Sequence, residues 1–174
     1  MSDLPPLPPG FRTAGVSCGI KSDPQKLDLA LFVADKPCAA AGVFTQNRVC
    51  GAPVKVSRER LPSRTVRAVV INSGNANACT GPRGLEDARQ MTADVAAEFG
   101  CSSDDVLVCS TGIIGHYLPM DKIAVGITEA SKVLSDNPRA FADSATAMMT
   151  TDTHPKQAVR EAEIDGVTVR VAGV

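Results

Sequence analysis

The sequence predicts a layered α/β domain with a mixed sheet. Three observations carry that prediction. Strand-like apolar runs dominate the stretch from residue 27 to residue 71, two strand–small loop–helix units follow each other between residues 66 and 134, and the chain closes on a hairpin signal, Asp165-Gly166. A length of 174 residues with 44% hydrophobic content suits one domain, spanning 1–174, with a real core.

Residues 1–10, MSDLPPLPPG, form a Pro-rich arm in this reading. The runs LDLALFVA (27–34), AAGVFT (40–45) and APVKVS (52–57) are expected as strands, with alternation clearest at Leu27, Leu29 and Leu31. VRAVVI (66–71) is the next strand and leads into NSGNANACTG (72–81), a loop of small residues and amides. The following segment places Leu85, Ala88, Met91, Val95 and Phe99 on one helical face, with Pro82 suited to the first turn and Gly100 to the stop. The pattern then repeats: strand DVLVCS (105–110), loop TGIIG (111–115), and a helix with Met120, Ile123, Ile127 and Leu134 inward. A third helix is expected over 138–149, because Pro155 blocks continuation beyond TTDTHPK. Asp165-Gly166 supplies the turn of a terminal hairpin.

Composition excludes several classes of function. Eighteen Lys and Arg balance nineteen Asp and Glu, and aromatics make up 3%, so there is neither a basic stripe nor a stacking platform for nucleic acid. No apolar stretch reaches membrane-spanning length, and the N-terminal stretch has no secretory pattern, so a cytoplasmic location is expected. The six cysteines contain no Cys-x-x-Cys pair and only His116 and His154 could join them, which argues against a zinc site and for reduced thiols as small apolar fillers. Both histidines are expected at the surface, and no Ser/His/Asp order is evident.

Two strand–loop–helix units in succession can bring both loops to one sheet edge, where helix N-termini favour a phosphate or an oxyanion. NSGNANACTG lacks the Lys-Ser/Thr ending of a phosphate-binding loop, and a plain tight turn explains it equally well. STGIIG adds the hydroxyls of Ser110 and Thr111, which a plain turn does not need. MTTDTHPK (149–156) is either a cap-and-turn cluster or a polar wall for a substrate bearing amide or carboxylate groups. No general base can be named within the chain.

AAGVFTQN, NSGNANACTG, STGIIGHYLPMDKI and MTTDTHPK, with GFRTAGVSCGIK near the start, together resemble the bifunctional ornithine acetyltransferases, or glutamate N-acetyltransferases, of arginine biosynthesis. Such enzymes are made as a precursor that cuts itself within a Met-Ala-Thr segment. The new N-terminal Thr of the second chain is the nucleophile, and its own α-amino group activates it. The resemblance implies ping-pong transfer of acetyl from N-acetylornithine to that Thr and then to glutamate, without a cofactor; many members also accept acetyl-CoA as a co-substrate. It implies a beta chain of the same precursor as partner in an alpha2-beta2 heterotetramer, and an α/β/β/α fold shared with self-cleaving aminopeptidases.

Carried over by position, Thr111 and Gly112 fall at the oxyanion hole and Thr150 at a substrate-binding position. The Asn72–Gly81 loop receives no reacting atom and is expected to support the site through buried amide hydrogen bonds. The family pattern continues past Val174 toward a Lys-Gly stretch and the cleavage site, so the chain is expected to be the alpha part, ending short of its natural terminus. A self-processed aminopeptidase of the same fold and a non-catalytic anion-binding module are the alternatives.

Overall fold

The computed structural model describes residues 7–174; most of the expected Pro-rich arm, residues 1–6, lies outside the described residues. Four strands form the main sheet in the order β1-β2-β3-β4: β1 (Phe11–Val16), β2 (Leu29–Ala40), β3 (Ser63–Asn75) and β4 (Val106–Ile113). The first three are antiparallel neighbours, while β4 runs parallel to β3. Parallel pairing needs a crossover, and α2 (Gly81–Phe99) supplies it. The sheet is therefore mixed, as expected.

Alternation decides which face is covered. Ala14, Leu29, Leu31, Val33, Ala68, Val70, Val106 and Val108 point to one side and are almost wholly buried. They pack against α1 (Ala52–Arg60), α2 and α3 (Met120–Lys132) through Val56, Met91, Val95, Ile123 and Ile127. Each of the Val, Leu, Ile and Met side chains among them contributes about 1.5–3 kcal/mol of transfer free energy. α2 follows its sequence signals closely, from Pro82 in the first turn to Gly100 at a left-handed stop with φ 59°. On the opposite face α4 (Pro138–Ala147) lies over β1 and β2. It comes so close that a Cβ on Gly15 would overlap the Asp143 carbonyl group and reach 2.7 Å from the Ser144 nitrogen. Among the described residues nothing covers the rest of that face, where Phe32, Val69, Ile71 and Leu107 are only half-buried and Cys109 is exposed.

The hairpin β5 (Ala158–Ile164) and β6 (Val167–Gly173) forms a separate two-stranded sheet. Asp165 and Gly166 both have positive φ, 51° and 76°, as the tightest hairpin turn demands. Its apolar side chains stay exposed, Val167 at 63% and Val171 at 64%.

Four expectations are corrected. Residues 52–57 are helix α1, not a strand: the buried positions fall at Ala52, Pro53, Val56 and Ser57, a helical spacing that VKVS alternation disguised. Residues 41–50 have no regular structure, because β2 itself continues to Ala40 and no strand among the described residues pairs beyond it; Val43 is fully exposed. β1 was not foreseen, since its Thr13 and Gly15 break the apolar rhythm. Finally, β3 and β4 extend through Asn75 and Ile113, so the ends of both small-residue loops are strand.

α1 also closes an exposed edge. β4 is the last strand of the sheet, and the buried Ser57 hydroxyl donates to the Val108 carbonyl (2.8 Å) and accepts from its N–H (3.0 Å), replacing a missing strand. Arg60 donates to the Val106 carbonyl nearby. Ser57→Ala leaves both Val108 groups unpaired and should cost about 1–3 kcal/mol. The measurement is the urea unfolding midpoint, and an unchanged midpoint would contradict this role.

Candidate functional site

The site begins where β3 and β4 end side by side, with Ser73 opposite Thr111 and Gly74 opposite Gly112. Gly112 has φ +134°, and a Cβ there would stand 2.5 Å from the Asn75 nitrogen and overlap the Gly74 carbonyl carbon. Only glycine allows the two strand ends to meet this closely. Gly74, with φ +105°, is roofed in turn by the 17–28 connection: its Cβ would lie 3.0 Å from Ile20 Cγ2 and 3.2 Å from Lys21 Cγ.

That connection is organised by Asp28, which is fully buried. Its carboxylate accepts from the backbone N–H groups of Cys18 (2.7 Å), Gly19 (3.1 Å), Ile20 (2.7 Å) and Lys21 (3.0 Å). Its main chain ties β1 to β3 as well, donating to the Val16 carbonyl (2.9 Å) and accepting from Ser73 N–H (2.8 Å). The Ser73 hydroxyl donates to the Ala147 carbonyl at the end of α4. The Lys21 ammonium donates to the carbonyls of Leu27 and Met149, each at 2.8 Å. Burial lowers the pKa of Lys21 and the charge of Asp28 opposes that shift.

Between these parts lies an open cleft of about 1230 Å³, lined among others by Lys21, Gly74, Thr111, Gly112 and Thr150. The three residues singled out from the sequence thus meet in one place, Thr111 half-buried and Gly112 and Thr150 exposed to the cleft. Among the described residues neither threonine hydroxyl has a hydrogen-bond partner, so both are free for a ligand. Charged groups on the rim pair with each other: Arg139 with Asp143 at 2.9 Å, and Asp152 with Lys156, whose hydrogen bond holds the Asp152 carboxyl below its usual range.

The asparagine loop makes its contacts with protein backbone. Asn72 Nδ2 donates to the Asn75 carbonyl (2.9 Å), Asn75 Nδ2 to the carbonyls of His116 (3.2 Å) and Tyr117 (3.0 Å), and Asn77 Nδ2 to Gly84 (2.9 Å). Asn75 Oδ1 accepts from Asn77 N–H (2.9 Å), and Asn77 Oδ1 from the Thr80 hydroxyl (2.7 Å). One loop thereby fixes the end of β3, the start of α2 and the chain leaving β4. The expected proximity of helix N-termini to the site is not observed. Positive φ at Asn77 (44°) and Cys79 (58°) turns the chain away, and Gly81 and Pro82 at the start of α2 line a different hollow with Arg48 and Cys50. His116 and His154 are both exposed.

Asp28, Lys21 and Gly74 were missed from the sequence. The available signal was a carboxylate inside the apolar run LDLALFV, which demands buried partners.

Fold and cleft define a mixed α/β chain whose two parallel strand ends, stripped to glycine, form one wall of a ligand-sized cleft. The chain belongs to the ArgJ family, whose model matches residues 12–174. It is 50% identical over 165 residues to the arginine biosynthesis bifunctional protein ArgJ of Geobacter sulfurreducens, covering 95% of this chain and 41% of that protein. The corresponding protein of Symbiobacterium thermophilum is 47% identical over 168 residues, with 96% and 41% covered. The chain thus spans about two fifths of the length of these relatives. Among solved structures, ArgJ of Bacillus halodurans superimposes with a TM-score of 0.90 at 38% identity, covering 95% of this chain and 85% of that one. An ornithine acetyltransferase of Mycobacterium tuberculosis, solved with ornithine, gives 0.89 at 42% identity, with 96% and 89% covered.

The same geometry sets thiol reactivity. Burial, and next the Asp28 charge, push the Cys18 thiol up to about 12, whereas Cys79 is exposed. At pH 8 roughly one Cys18 in 10⁴ is then thiolate, and the thiolate is the nucleophile. Iodoacetamide at pH 8 should label Cys79 and spare Cys18 in the folded protein, as read by peptide mass spectrometry. Comparable labelling of both would contradict the half-buried setting of Cys18 beside Asp28.

Proposed function

We propose that this chain is the alpha part of an acetyltransferase that moves acetyl from N-acetylornithine to glutamate through a Thr nucleophile on a partner chain. One observation carries the reading: Thr111, Gly112 and Thr150, the family positions for charge stabilisation and substrate binding, line one cleft. The likeness to an ornithine acetyltransferase holding ornithine supports the substrate class.

In the first half-reaction the Thr hydroxyl adds to the acetyl carbonyl, the C–N bond breaks, and ornithine leaves with the proton. In the second, the glutamate amine adds to the acetyl ester, the C–O bond breaks, and the Thr hydroxyl is restored. Both steps are acyl transfers and need no redox cofactor. Both develop negative charge on the carbonyl oxygen, which Thr111 and Gly112 receive. Asn75 is in register with Thr111 and with Ile113, which supports a Gly112 N–H that faces away from β3, at the open edge of the sheet. Thr150 holds the amino-acid portion from the opposite wall.

The partner is a second chain of the same precursor. Among the described residues no hydroxyl lining the cleft is hydrogen-bonded to a side-chain base, and the relatives are more than twice as long. The half-bare sheet face is the seat of the partner's sheet, which completes the α/β/β/α layers, and the exposed hairpin extends the same interface. An isolated hairpin of this kind is marginal in water. Intact-mass analysis of protein made from the full gene should find two chains, the second beginning with Thr. A single uncut, fully active polypeptide would refute the division.

Thr111→Ala in the processed enzyme should lower kcat by about 10²–10³ with KM much less affected. Thr111→Ser should keep most activity, because the hydroxyl survives. Gly112→Ala should abolish activity by forcing the strand ends apart. Steady-state transfer from N-acetylornithine to glutamate is the measurement, and a loss below about threefold for Thr111→Ala would refute the assignment.

A further inference from the structure

Lys21 touches three parts of the cleft wall. Its N–H bonds the Asp28 carboxylate (3.0 Å), its stem lies 3.2 Å from where a Gly74 Cβ would stand, and its ammonium donates to Leu27 and Met149. The two carbonyl acceptors belong to distant parts of the chain. Leu27 leads into β2, whereas Met149 lies 128 residues from Lys21 and immediately precedes Thr150. Among the described residues no side-chain carboxylate hydrogen-bonds the ammonium. Asp28 balances its charge from a distance, with its own oxygens engaged by four backbone N–H groups.

An ammonium held by two main-chain carbonyls acts as a strap between segments. Removing it frees one of two walls that must face each other. The Met149–Asp152 segment follows the end of α4, where the Ser73 hydroxyl holds the Ala147 carbonyl and the Met149 N–H bonds only locally, to the Thr146 carbonyl (3.2 Å). Lys21 ties Met149, the residue before Thr150, to a distant part of the chain.

We propose that Lys21 is a positioning residue that fixes Thr150 against the cleft through the Met149 carbonyl, and so sets affinity for the amino-acid substrate. This rests on the substrate role given to Thr150 above. Lys21 does not itself touch the reacting atoms. Its effect therefore falls on KM, and it disappears when Thr150 can no longer hydrogen-bond.

The test is a double-mutant cycle in the processed two-chain enzyme, with KM and kcat measured for N-acetylornithine and glutamate and thermal melts to confirm folding. Thr150→Val and Lys21→Met should each raise KM by roughly tenfold with kcat within about threefold, and the double variant should be no worse than Thr150→Val alone. Lys21→Arg, which keeps donors for both carbonyls, should recover most of the lost affinity. If Lys21→Met does not fold, Lys21→Gln enters the same cycle. An unchanged KM in Thr150→Val overturns the substrate role of Thr150 and the Lys21 assignment with it. A raised KM in Thr150→Val, with Lys21→Met either neutral or equally harmful in both backgrounds, overturns the Lys21 assignment alone.

Discussion

A carboxylate buried in the centre of a small protein costs several kcal/mol unless its charge is matched by donors. Asp28 meets that constraint with four backbone N–H groups from the turn before it, and the rest of the site depends on this. Meeting it forces residues 18–21 to wrap around one point. The wrapped turn then brings Ile20 and Lys21 onto Gly74, and Gly74 lies against Gly112. The same residue bonds β1 and β3 through its main chain, so charge satisfaction and strand alignment are one event. Apolar burial drives the sheet together, but the carboxylate decides where its working end stands.

Close backbone approach is the second constraint, and it explains the composition of the asparagine loop. Strand ends that meet through glycine have no side chains to interlock, so something else must prevent slippage. Amides do this well, because each carries both donors and an acceptor and can bridge several main-chain groups. Asn75 and Asn77 bind the chain after β4, the start of α2 and each other, and Asn77 O accepts from Ala52 N–H at the start of α1. The loop is small so that strands can approach, and amide-rich so that they stay.

Features encoded locally were legible in the sequence. α2 had apolar spacing, Pro82 and Gly100; the hairpin had Asp165-Gly166; the helix expected over 138–149 is α4, although it ends at Ala147, well before the bound expected at Pro155. α1 was not legible, because VKVS fits either period and the decision was made elsewhere, by the unpaired edge of β4 that Ser57 satisfies. Thr111, Gly112 and Thr150 were identified through family positions, and the structure brings them to one cleft. Lys21 and Asp28 escaped because their partners are backbone groups, which leave no mark on the sequence of the residues that supply them. The contact between Lys21 and Met149 spans 128 positions and involves no side chain at its far end.

This arrangement also bears on how the proposed division into two chains can work. Under the proposed division, the chain contributes the fixed dipoles and the partner contributes the group that attacks. Fixed dipoles are useful only if they need no reorganisation as charge develops, so they must belong to a body that is rigid before the nucleophile arrives. Here the rigidity is internal: a carboxylate turn, glycine-to-glycine contact and an amide lattice all lie within one chain. Among the described residues nothing covers Phe32, Val69, Ile71 and Leu107, apolar surface of the kind that drives association. Precision thus resides in polar contacts made within the chain, while the proposed association draws on the apolar face. A break between the two chains then leaves the hydrogen-bonded lattice untouched, because none of those bonds crosses it.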